Sequence, residues 1–158
     1  MFDDVRDLYS EAIRSHGRAP RHAGRPDGFD GSARGDNPMC GDRVTVFVRR
    51  GGAGLEGAGF EARGCELVTA SADLMCDAVA GRGLDEITGI AGQVEAMARS
   101  GEMPDWVTQG CARCDALEAL QPLSAVHEFP SRLRCVTLPW TTLVAALGSD
   151  SKTSGEAA

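Results

Sequence analysis

The stretch Asn37-Pro38-Met39-Cys40-Gly41-Asp42, running into Arg43-Val44-Thr45-Val46-Phe47-Val48-Arg49, decides how the rest of the chain is read. Val44, Val46 and Val48 alternate with Arg43, Thr45, Phe47 and Arg49, the period-two pattern of a half-buried strand. Gly51-Gly52-Ala53-Gly54 is a turn, and Ala58 to Arg63 returns as the partner strand with Phe60 and Ala62 on one face. The ends of this hairpin carry chemistry. Cys40 and Asp42 lie just before the outgoing strand, and Gly64-Cys65 lie just after the returning one, so antiparallel pairing brings Cys65 close to Cys40. Gly41 lets the backbone bend without a Cβ clash, and Pro38 stiffens the approach to that bend. A thiol and a carboxylate two residues apart form a partial ligand set for Zn²⁺, two donors where a site usually takes four.

Beyond Cys65 the pattern changes to helix, with Leu67-Val68, Ala72, Met75 and Val79 at spacings of three and four. Cys65 falls in its first turn, where free N–H groups and the helix dipole favour a thiolate. Cys76 lies about three turns away and reads as core. Gly81-Arg82-Gly83 stops this helix. Asp85 starts another, carrying Ile87, Ile90, Val94 and Met97, and Gly101 with Pro104 ends it. Met103 to Cys114 is irregular and holds Cys111-Ala112-Arg113-Cys114, followed by a short helix over Asp115 to Leu120. The final segment, Arg132 to Leu147, carries Cys135 near its start, and Pro139 predicts a kink or a helix beginning near Leu138.

Upstream, Asp3 or Asp4 caps a first helix with Val5, Leu8, Ala12 and Ile13 on one face, ended by His16-Gly17 with Gly17 as the C′ residue. Arg18 to Gly35 reads as a connector with room for a short edge strand. Its Arg18, Arg21, His22 and Arg25 form either a solvated surface or a docking patch for an acidic partner. The expected architecture is α+β, a small antiparallel sheet of about three strands packed against several helices. Residues 1–147 make one domain, and the small, polar tail over residues 148–158 is expected to be disordered.

At 158 residues with 42% apolar content, the chain can bury a real core. A net charge of −7 with no Lys/Arg block argues against nucleic acid as a partner. The acidic start, Met1 to Ser10, does not read as a targeting peptide, and no apolar run approaches the ~18 residues of a membrane span. Six cysteines then point to the reducing cytoplasm, where thiols serve metals or catalysis more often than disulfides. Cys40, Asp42, Cys65 and Cys135 are the candidate ligands. By spacing alone they form either a shared metal site or a set of separate residues, because free cysteine also behaves as a small hydrophobe.

These residues carry a family resemblance. Asn37-Pro-Met-Cys-Gly-Asp42, Gly64-Cys65 with Ala70-Ser71-Ala72, and Arg134-Cys135-Val-Thr-Leu-Pro-Trp140 resemble the U-type iron–sulfur assembly proteins. Leu8-Tyr9, Ile13, His16 and Pro20-Arg21 resemble that family's N-terminal helix and the segment after it. IscU-like members carry histidine directly before the third cysteine, without a long insertion ahead of it. This chain has Arg134 there and an extended region over about Gly101 to Phe129, so it is more similar to the SufU-like branch.

That resemblance implies Zn²⁺ held by Cys40, Asp42, Cys65 and Cys135. It implies Cys40 as the acceptor of persulfide sulfur from a pyridoxal-phosphate-dependent cysteine desulfurase, and a downstream iron–sulfur scaffold as recipient. The alternative within the family is a scaffold that assembles a [2Fe–2S] cluster on the same four residues. Departures are Glu66 after Cys65, where a small residue is usual, and His22, where asparagine is common. Cys111 and Cys114 lie outside the family's ligand set and are either incidental or resolving thiols. Arg134 is either solvated or draws in the anionic persulfide.

Overall fold

The computed structural model describes residues 11–38, 41–52, 54–102, 104 and 115–148, with Ala12, Asp115 and Ala116 described in backbone only. The alternating segment forms the middle of a three-stranded antiparallel sheet, β1 (Gly31–Asn37), β2 (Asp42–Gly51) and β3 (Gly54–Arg63), in the order β1-β2-β3. Val44, Val46 and Val48 of β2 and Leu55 and Phe60 of β3 are buried on the core face. The return strand starts four residues before the expected Ala58, and a register shift between Arg49 and Arg50 accommodates the glycine-rich turn. The edge strand does exist, at the far end of the connector.

Phe47 lies on the other face of the sheet and is nonetheless buried at 6% exposure. Phe29 meets its ring edge-on at 5.1 Å and the Arg25 guanidinium lies 5.7 Å from its centroid. The segment before β1 thus folds over the outer face, tied down by a parallel bridge from Ala23 to Phe60.

Against the core face packs α2 (Glu66–Val79), with α1 (Glu11–Arg18), α3 (Leu84–Ser100), a short α4 (Asp115–Glu118) and α5 (Leu133–Leu147) around it. Helix α2 is buried on nearly every side: Leu67, Val68, Leu74, Met75, Cys76 and Val79 are all at or near zero exposure. The spacing predicts one apolar face, but α2 is flanked by α1, β3 and α5, so even Ser71 and Asp73 are enclosed. Cys76 is core, as its spacing predicts. Helix α3 runs from its Gly83 N-cap to Gly101, whose φ of +80° closes the helix in the left-handed conformation. A 3-10 segment, Gln121–Glu128, and a single 3-10 turn, Pro130–Arg132, lead into α5.

Two local expectations need correction. Gly17 does not terminate α1, which continues to Arg18; its missing side chain instead lets α1 approach α2, because a Cβ there would stand 2.8 Å from the Glu66 carbonyl oxygen. The last helix begins at Leu133, not Leu138, and Pro139 is inside it. Proline cannot donate to the carbonyl four residues back, which is that of Cys135. The basic connector is engaged within the chain while its arginines stay largely exposed. Arg18 pairs with Glu66 at 3.0 Å, Arg21 and His22 pair with Asp77, and Arg25 lies 3.8 Å from Glu61. The expected helix start at Asp3 or Asp4 and the tail beyond Gly148 lie outside the described residues.

Candidate metal centre

The site forms where three chain segments end together. The β1–β2 register pairs Asn37 with Asp42, and β2–β3 pairs Arg43 with Arg63, so Asp42 emerges beside Gly64-Cys65. At the turn into β2, the Gly41 N–H donates to the Asn37 carbonyl at 2.8 Å, and Gly41 takes φ +76°, a conformation open to glycine. At the exit from β3, Gly64 has φ +151° and leaves room for the Asp42 carboxylate; a Cβ would stand 2.9 Å from Asp42 Cγ. Cys65 then serves as N-cap residue of α2 in extended conformation (φ −77°, ψ 165°), one position before the first turn in which its spacing places it. Cys135 arrives from the first turn of α5, which Ser71 holds against α2 by donating its buried hydroxyl to the Val136 carbonyl at 2.7 Å.

Asp42, Cys65 and Cys135 present ligand atoms that all lie within 4.8 Å of one another. Asp42 is 3% exposed and Cys135 fully buried, with Cys65 half-buried at the surface end. The Cys65 N–H donates to Asp42 Oδ1 at 3.3 Å, and the Cys135 thiol donates to Asp42 Oδ2 at 3.3 Å. The carboxylate is thereby aimed from two sides. A hydrogen bond from Cys135 brings the Cys65 thiol down to about 6, against the opposing effect of burial. Sharing its single proton between the Cys65 sulfur and Asp42 Oδ2, together with burial, pushes Cys135 far up. Three anion-prone donors this close cannot all ionise without a cation between them. Two soft sulfurs and a carboxylate oxygen, enclosed and convergent, fit Zn²⁺, and cysteine thiolates equally suit iron.

Of the residues singled out from sequence, Asp42, Cys65 and Cys135 are brought together. Cys40, Cys111 and Cys114 lie outside the described residues. Arg134 is exposed next to Cys135, its guanidinium 3.4 Å from the Asp36 carbonyl oxygen. Glu66 turns away to pair with Arg18.

Sequence reasoning missed the brace behind the site. Asp73, with no exposed surface, accepts from His16 Nδ1 at 2.6 Å and from the backbone N–H groups of Arg21 and His22 at 2.8 Å each. It clamps α1 and the segment after it onto α2. The available signal is the carboxylate Asp73 among the small and apolar residues Ala70 to Cys76, since a buried charge demands partners.

A small α+β domain of this kind has solved counterparts. A Fervidobacterium islandicum protein described as an iron–sulfur cluster assembly scaffold for the SUF system superposes with a TM-score of 0.78 at 26% identity, over 91% of this chain and 99% of that one. The chain belongs to the family of the NifU-like N-terminal domain, whose pattern matches residues 8–136. Among named relatives, the zinc-dependent sulfurtransferase SufU of Bacillus subtilis is 33% identical over 138 residues, 86% of each chain. The iron–sulfur cluster assembly scaffold protein IscU of Streptococcus pyogenes is 31% identical over 140 residues, 89% of this chain and 82% of that protein. No helix among the described residues is long and apolar enough to cross a membrane.

Proposed function

We propose that this protein is a zinc-dependent sulfur acceptor of iron–sulfur cluster assembly, working in the cytoplasm with a pyridoxal-phosphate-dependent cysteine desulfurase. The observation that carries this reading is the convergence of Asp42, Cys65 and Cys135, with Cys40 two residues before Asp42 in the chain. The likeness to a named zinc-dependent sulfurtransferase, Arg134 before the third cysteine, and the extended Gly101 to Phe129 region support it.

Cys40, Asp42, Cys65 and Cys135 would hold the zinc, which when bound keeps thiolates deprotonated and shielded from oxidation. The Cys40 thiolate attacks the outer sulfur of the desulfurase persulfide. A new S–S bond forms to Cys40, the old one breaks, and the desulfurase thiolate leaves with its electron pair. The proton on the outer sulfur travels with it, so no oxidant or reductant is consumed, as in thiol–disulfide exchange. The sulfur then passes to a downstream iron–sulfur scaffold. Asp42 contributes a harder oxygen donor beside three sulfurs, held ready by the Cys65 N–H.

The test is desulfurase turnover with wild type and with Cys40→Ala. Stimulation by the wild type that vanishes in the variant is expected; equal stimulation by Cys40→Ala overturns the reading. The second reading, a scaffold assembling [2Fe–2S] on the same residues, is favoured by the likeness to proteins named as scaffolds. It predicts a brown protein with visible absorption after anaerobic purification, whereas the zinc reading predicts a colourless one with one zinc per chain.

A further inference from the structure

The rim of the site is positively charged although the chain carries −7 overall. On the solvent face of the sheet, Arg34 and Arg43 share a single carboxylate, Asp36, at 3.6 and 2.7 Å. Arg63 stands directly across from Arg43 in the β2–β3 register and is exposed, its side chain without a hydrogen bond or ion pair to any described residue. Among the described residues Arg134 reaches the Asp36 carbonyl oxygen and no carboxylate. Away from the site, Arg18, Arg21, Arg50, Arg82 and Arg99 each have a carboxylate partner within the chain, whereas exposed Arg14 has none among the described residues. Like charges placed opposite one another across a ladder destabilise it, and a counter-ion from outside would relieve that. The residue after Arg63 is Gly64, so the uncompensated charge adjoins Asp42 and Cys65.

We propose that Arg34, Arg43, Arg63 and Arg134 form a docking collar for an acidic protein surface, that of the desulfurase which brings its persulfide to the site. The inference rests on the sulfur-acceptor reading for the identity of the partner. Carboxylates of the partner compensate the collar, steer its approach and set the reactive groups facing each other. The chain's own net negative charge disfavours the other polyanion, nucleic acid, because only the collar would attract it.

Association of the zinc-loaded protein with the desulfurase, followed between about 50 mM and about 500 mM NaCl, tests this. Wild-type association is expected to slow steeply with salt. Arg63→Glu and Arg134→Glu are each expected to slow it about tenfold at low salt and to flatten the salt dependence. Zinc content should stay at the wild-type value, and melting temperature should not fall, since Arg63→Glu places a carboxylate opposite Arg43 and relieves the like-charge pair. Arg63→Gln, which removes no ion pair with any described residue, should give a smaller loss of the same sign. Arg99→Glu on α3 should leave association unchanged.

Salt-insensitive association, wild-type rates in the collar variants, or an equal loss in Arg99→Glu overturns the collar. If the wild type stimulates the desulfurase through Cys40 while the collar variants match it, only the collar falls. If the wild type neither binds nor stimulates the desulfurase, both readings fall. Binding of a labelled RNA or DNA duplex that depends on Arg63, without desulfurase binding, overturns the assignment to a protein partner.

Discussion

Gly64→Ala is the sharpest test of how the fold makes the site. At φ +151° an L-residue is strained by about 1–3 kcal/mol. The new Cβ would overlap Asp42 Oδ1 and stand 2.9 Å from Cγ and 3.2 Å from Cα, where unstrained carbon neighbours sit about 3.5 Å or more apart. Asp42 Cα cannot retreat, because its strand pairs with β1, so the carboxylate must swing away. That breaks the hydrogen bonds from Cys65 N–H and the Cys135 thiol, both 3.3 Å and so at the weak end of the roughly 1.5–3 kcal/mol typical of charged pairs.

The expected destabilisation is about 3–5 kcal/mol in urea unfolding of the metal-free protein. Zinc affinity, measured by competition with a chromophoric chelator, should fall about 10–100-fold or more. In an Asp42→Ala background the carboxylate atoms are gone and only the 3.2 Å approach to Cα remains, so Gly64→Ala should cost little beyond the backbone strain, leaving a coupling of about 2 kcal/mol between the two sites. An equal cost in both backgrounds, or a cost under about 1 kcal/mol in the wild type, would refute the idea that Gly64 exists to house the Asp42 carboxylate.

Two further outcomes follow from buried groups. Asp73→Ala leaves the His16 ring and two backbone N–H groups without their acceptor, and should cost about 3–5 kcal/mol with early proteolysis before β1; Asp73→Asn, which keeps one acceptor oxygen, should cost less, and limited proteolysis with urea unfolding checks both. Burial first, then the anions Asp73 and Asp77, push the Cys76 thiol above its ordinary range. A raised native pKa means the unfolded chain ionises first. This contribution to stability is therefore full below about pH 8.5 and declines above it, by up to about 1.4 kcal/mol per pH unit. Stability measured across that range should fall less steeply in Cys76→Ala, and wild-type Cys76 should resist alkylation while the protein is folded.

The hairpin and the two long helices after it were legible from the residues themselves; the last helix was legible only in part, because Pro139 left open a start near Leu138, beyond Cys135. Val44-Thr45-Val46-Phe47-Val48 alternates because adjacent residues in a strand face opposite ways, and Ile87, Ile90, Val94 and Met97 repeat because a helix turns every 3.6 residues. Such signals are local, and the covalent chain enforces them. The pairing of Asp42 with the Gly64-Cys65 corner followed from the same logic, since a hairpin's ends must meet.

What the sequence determined by itself is therefore the set of elements, the pairing at the mouth of the hairpin, and the kinds of donor available. Only the tertiary structure decided which charges are spent internally: Arg21 and His22 on Asp77, Arg18 on Glu66, and Asp73 on α1 and the segment after it. The same holds for Phe47, expected at the solvent face and buried by Phe29, and for Ser71, which fixes Cys135 through Val136. Each of these partnerships joins positions that no periodicity relates, more than fifty residues apart for the Asp73 clamp. Whether a charge meets water or another charge depends on the packing of whole elements, and no neighbouring residue records that.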